Sequence, residues 1–75
     1  MPKPPQVNAR ALLAALRRAG FVVRRQTGSH VGLWHPRTDR TTVVPVNSGT
    51  LKPELVAKIL KQAGLTAQDL RDLLK

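Results

Sequence analysis

A chain of 75 residues has room for one small core, because surface dominates volume at this size, so a multi-domain reading is excluded. With no Cys, disulfide staples, thiol nucleophiles, Cys-ligated zinc and iron–sulfur clusters fall away, and no apolar run approaches the roughly 20 residues of a membrane span. Thirteen Lys and Arg against four Asp and Glu give a formal charge of +9, which points to a polyanionic partner.

Residues 1–7 are Pro-rich, lack the apolar centre of a signal peptide and are expected to form an extended tail ahead of a single domain over 8–75. A soluble, cytoplasmic protein without membrane contact is expected. Asn8 is placed as the N-cap of a first helix, in which Leu12, Leu13 and Leu16 recur at helical spacing, Arg17-Arg18 meet the negative end of the dipole, and Gly20 is the stop. Phe21–Gln26 reads as a strand, Thr27-Gly28-Ser29 as a turn, His30–His35 as a second strand ending before Pro36, and Thr41–Val46 as a third. Loops this short force an antiparallel meander, since a parallel crossover needs a dozen or more residues.

Asn47-Ser48-Gly49 reads as a loop, and Pro53 marks the start of a second helix because first-turn N–H groups have no intrahelical partner to lose. Leu55, Val56, Ile59 and Leu60 form its core stripe and Gly64 ends it. Thr66 with Asp69 opens a last short helix carrying Leu70, Leu73 and Leu74. The order α-β-β-β-α plus a C-terminal helix predicts an α+β fold, a three-stranded antiparallel sheet under helices, as in double-stranded-RNA-binding domains.

Residues 1–51 hold eight basic side chains against Asp39 alone, so the phosphate-facing surface is expected there. The other carboxylates, Glu54, Asp69 and Asp72, are dispersed along helices. That scarcity argues against two-metal nuclease sites, carboxylate-pair glycosidases and Ser-His-Asp catalysis, and no phosphate-cradling glycine motif occurs. Proton transfer near neutral pH is left to His30 and His35.

RNA offers a reaction that one histidine can serve, because its own 2′-hydroxyl attacks the adjacent phosphorus once deprotonated. On one strand His30 and His35 lie roughly 17 Å apart and on opposite faces, so they cannot share a phosphate. His30, directly after a Gly-Ser turn and with Arg24 and Arg25 across it, is the catalytic candidate; His35 before Pro36 reads as structural. Parity puts Val31 and Leu33 on the buried face and His30, Gly32 and Trp34 on the other. Trp34 is thus expected to be exposed, either for base stacking or a partner contact, or lying over the sheet edge or tail.

Leu12-Leu13, Ala19-Gly20-Phe21, Arg25-Gln26-Thr27-Gly28-Ser29-His30, His35-Pro36, Thr42-Val43-Val44-Pro45-Val46 and Leu60-Lys61-Gln62-Ala63-Gly64-Leu65 form an ordered set. In it the chain resembles the HicA toxins of bacterial type II toxin–antitoxin systems. The resemblance implies a double-stranded-RNA-binding-like fold, mRNA cleavage without metal or other cofactor, a catalytic histidine at His30 and neutralisation by a HicB-like antitoxin. It departs from the family pattern at Asn47, where many members have histidine, and in a shorter loop before Lys52-Pro53. The expected function is therefore an mRNA endoribonuclease toxin, monomeric when free, with His30 as general acid or base and Arg24, Arg25, Ser29, Trp34 and Lys52 on the nucleic acid. The alternatives are a non-catalytic RNA-binding module, which would bind RNA without scission, and a protein-interaction domain, which would bind a partner without RNA affinity.

Overall fold

Asn8 starts the first helix by accepting the Arg10 N–H on its side-chain oxygen at 2.8 Å, and the Gly49 carbonyl takes the Ala9 N–H at 2.8 Å. Two first-turn donors that a helix cannot satisfy internally are thereby paired. A computed structural model describes residues 6–75, and its elements in chain order are β1 (Val7–Asn8), α1 (Ala9–Arg18), β2 (Val22–Thr27), β3 (His30–Trp34), β4 (Thr41–Pro45), β5 (Thr50–Leu51), α2 (Pro53–Ala63) and α3 (Ala67–Leu73). The α+β fold and the predicted order of helices and meander strands are found, with two short strands, β1 and β5, added to it.

The strands β2, β3 and β4 form the expected antiparallel meander. One face of it is closed by helices: Val31 pairs with Val44 and Leu33 with Thr42, and all four side chains are buried. Against them lie Leu12, Ala15 and Leu16 of α1 and Val56, Ile59, Leu60 and Ala63 of α2, the i, i+3, i+4 and i+7 stripes that a core-facing helix needs. Thr42, a buried polar residue, donates its hydroxyl to Gln62 Oε1 at 2.9 Å and so ties the sheet to α2. A capping box between Thr66 and Asp69 starts α3, which buries Leu70 and is held to α1 by an Arg18 guanidinium donating to the Leu73 carbonyl at 2.7 Å.

Both long helices pack on β4, so β2 is left as an uncovered edge in which every residue is exposed, with Val22 and Val23 each at 44%. The difference from expectation is a two-stranded sheet, β1 with β5, in the register Val7 to Leu51 and Asn8 to Thr50. Val7, assigned to the tail on sequence, is a buried strand residue, and Thr50 belongs to a strand, one residue past the predicted loop. Two-residue strands show no periodicity; what makes them is the tertiary pairing of Val7 with Leu51 over the core. The remaining tail prediction, over residues 1–5, falls outside the described residues.

Candidate functional site

The turn between β2 and β3 is tighter than predicted. Thr27 pairs with His30, leaving only Gly28 and Ser29 in the loop. Gly28 has φ +57° whereas Ser29 stays at negative φ, the signature of a two-residue II′ hairpin, which demands glycine first. Space is open around Gly28, so the demand comes from the backbone alone. Ser29 is half-buried and its carbonyl accepts the Val46 N–H at 2.7 Å, which locks the turn to the end of β4. This hairpin delivers His30 as the first residue of β3.

Alternation along β3 puts His30, Gly32 and Trp34 on the face of the sheet away from the helices, as predicted, with Val31 and Leu33 at 3% and 1% exposure on the other. His30 is exposed, and among the described residues its ring has no hydrogen-bond partner. Its cross-strand neighbours are Thr27 and Pro45. Arg25 stands two register positions further along, opposite Gly32, and Arg24 occupies an irregularity between the Val23 and Arg25 pairings. The two arginines therefore flank the strand beyond His30, not the turn itself, because the hairpin is one residue shorter than the sequence suggested.

Trp34 is half-buried where exposure was expected. The Arg24 guanidinium lies over its ring, 4.9 Å from the centroid, and its indole N–H donates to Asp39 Oδ1 at 2.7 Å. Asp39 holds that position in a left-handed conformation, φ +61°, inside the β3–β4 loop. Lys52 stands apart from this group on another element, as the exposed N-cap of α2 with no side-chain capping bond. Arg10 and Arg17 lie on α1, in the helical layer on the opposite side of the sheet from His30.

His35 is engaged at both ring nitrogens. Nδ1 accepts the Arg37 N–H at 3.1 Å, which leaves the ring proton on Nε2, and Nε2 donates to the Ala19 carbonyl at 3.1 Å. That carbonyl belongs to the C-cap of α1, where no intrahelical donor reaches. The ring also meets Phe21 edge-on at 5.0 Å between centroids. A Cβ at Gly20, whose φ is +106°, would come within 2.7 Å of His35 Nε2. Ala19-Gly20-Phe21 and His35, distant in sequence, are thus one packed corner, a relation the sequence alone did not reveal.

The carboxylates are elsewhere or occupied. Asp39 serves Trp34, Asp69 the capping box of α3, Asp72 accepts from Gln68 at 3.1 Å and lies 3.8 Å from Lys75 Nζ, and Glu54 sits in the first turn of α2. Among the described residues no three His, Asp or Glu side chains come together as a metal site, and no helix is long and apolar enough to cross a membrane. The chemistry available at the open face is the His30 imidazole, unpaired among the described residues, with the guanidinium groups of Arg24 and Arg25 further along the strands. Comparison with known proteins adds one match: residues 9–65 fit the family model described as HicA toxin of bacterial toxin–antitoxin. No curated protein matches the chain.

Proposed function

The chain belongs to the HicA toxin family, the toxin half of bacterial toxin–antitoxin pairs, and from that premise we propose that it is an mRNA endoribonuclease in which His30 is the general acid–base and no metal takes part. The observation that carries the reading is His30 itself: exposed, without a hydrogen-bond partner among the described residues, and presented by a two-residue hairpin on the open sheet face that also bears Arg25. The imidazole takes the 2′-hydroxyl proton, the 2′-oxygen forms a bond to the adjacent phosphorus, and the P–O5′ bond breaks. The same ring, now protonated, can return the proton to the departing 5′-oxygen. Arg24 and Arg25 offset the charge that builds on the phosphoryl oxygens, and Lys52 and the Ser29 turn hold the flanking chain. The products are a 2′,3′-cyclic phosphate and a 5′-hydroxyl.

With no carboxylate left to orient the ring, substrate contacts must do so, which suits a polymer that binds across a whole face. An acidic HicB-like antitoxin would silence the enzyme by covering this face, competing with RNA for the same cations. The test is His30→Ala. It should leave folding and RNA binding intact and abolish both scission and growth arrest. Undiminished cleavage by a folded His30→Ala protein would overturn the assignment; RNA binding without scission by the native chain would favour a non-catalytic RNA-binding module.

A further inference from the structure

Two residues beyond His30 the open face has a hollow. Gly32 contributes no side chain there, its register partners are Arg25 on β2 and Val43 on β4, and the result is a shallow groove of about 430 Å³ lined by Arg24, Arg25, Gly32, Thr41 and Val43, among others. The groove has unlike walls. One carries two guanidinium groups; the other carries Val43, 49% exposed and among the largest apolar surfaces the fold leaves to solvent. The Arg24 side of it is backed by Trp34, whose ring lies under the guanidinium and is held by the indole N–H bond to Asp39.

An occupant that satisfies these walls is flat, apolar on its faces and joined to an anion. Residues two apart on a strand are separated by roughly 6.7 Å, on the order of one nucleotide of an extended chain. We propose that this groove is a nucleotide subsite, which takes the unpaired base next to the bond that His30 cleaves, stacked over Gly32 against Val43, with Arg24 and Arg25 on its phosphate. The proposal rests on the endoribonuclease reading and adds to it a requirement: the base beside the cleaved bond must be unpaired, because a base held in a duplex cannot lie flat on a sheet. Gly32 is then a specificity determinant through the volume it leaves free.

Gly32→Val tests this with little risk to the fold. A Cβ at Gly32 meets only the Arg25 carbonyl oxygen at 3.5 Å and Arg25 Cβ at 3.6 Å, both ordinary contacts, and a β-branched residue facing Val43 suits the strand pair. Trp34 is the only tryptophan and its ring lies against Arg24, a wall of the groove, so its fluorescence reports occupancy through that contact without any cleavage. In a His30→Ala background, a short unpaired oligoribonucleotide should quench Trp34. Gly32→Val should weaken that binding at least about fivefold, the loss of one stacked base, with the urea midpoint unchanged or raised. Should Gly32→Val fail to fold, Val43→Glu, at an exposed position, places repulsive charge in the same groove and should weaken binding similarly.

Unchanged affinity in either folded variant would overturn the subsite. So would equal quenching by a duplex of the same length, or a Gly32→Val protein that loses only antitoxin affinity, which would assign the groove to the protein partner. Because binding is read in the His30→Ala background, the groove can fail while the assignment of His30 stands, and the reverse.

Discussion

Replacing His35 by alanine should cost far more stability than replacing His30, although the two histidines lie five residues apart, at the start and just past the end of β3. The His35→Ala change deletes the Nε2–H donor to the Ala19 carbonyl, worth about 1 kcal/mol, and the edge contact with Phe21, worth about 1 kcal/mol. The space vacated by a part-buried ring adds about 1 kcal/mol more. The sum, about 3 kcal/mol, is a large share of the roughly 4–11 kcal/mol expected of a domain this size. With a urea dependence of about 1 kcal/mol per molar, the unfolding midpoint should fall by about 2–3 M. His30, exposed and without a hydrogen-bond partner among the described residues, should shift by less than about 0.5 kcal/mol on the same substitution. Urea unfolding followed by Trp34 emission measures both. A His35→Ala protein with the native midpoint but no cleavage would refute the reasoning, because it would make His35 functional and not structural.

The glycines separate in the same assay: Gly28→Ala, at φ +57° in open space, should cost about 1 kcal/mol and lower cleavage by disturbing His30, whereas Gly20→Ala should cost at least twice that, since its Cβ would also collide with His35. A Gly20→Ala protein as stable as Gly28→Ala would mean that the corner is not packed as described. RNA affinity should fall steeply with salt, and a double Arg24→Glu, Arg25→Glu change should flatten that slope by about two phosphates; an unchanged slope would remove these arginines from the interface. The same double change should slow association with an acidic antitoxin more than it speeds dissociation, as surface plasmon resonance across a salt series would show. Dominant loss in the dissociation rate would place the arginines in the buried centre of that complex.

The meander and helices were legible because each carries a local signal: helical stripes at Leu12 and Leu16 and at Val56, Ile59 and Leu60, glycine stops at 20 and 64, a proline start at 53. Strand parity put His30 on the open face because Val31 and Leu33 could only be buried. What escaped depends on contacts between distant segments. Nothing near Val7 announces that Leu51 will cover it, and nothing near Trp34 says that Asp39 will take a left-handed backbone and claim its N–H. The displaced arginines have a smaller cause: one residue fewer in the hairpin and an irregularity at Arg24 move both away from the turn. The groove over Gly32 had a visible signal, a glycine inside a β-prone run, since such a residue marks an irregularity or a close approach by something else.

The central claim is that one histidine and the RNA's own 2′-hydroxyl suffice for cleavage. The most direct measurement compares a short RNA cut at a mapped bond with the same RNA carrying a single 2′-deoxy sugar on the 5′ side of that bond, both in excess EDTA. The account predicts cleavage of the first to a 2′,3′-cyclic phosphate, survival of the second despite equal binding, and no scission of either by His30→Ala. Cleavage of the deoxy-substituted strand, or activity that disappears in EDTA and returns with magnesium, would contradict it.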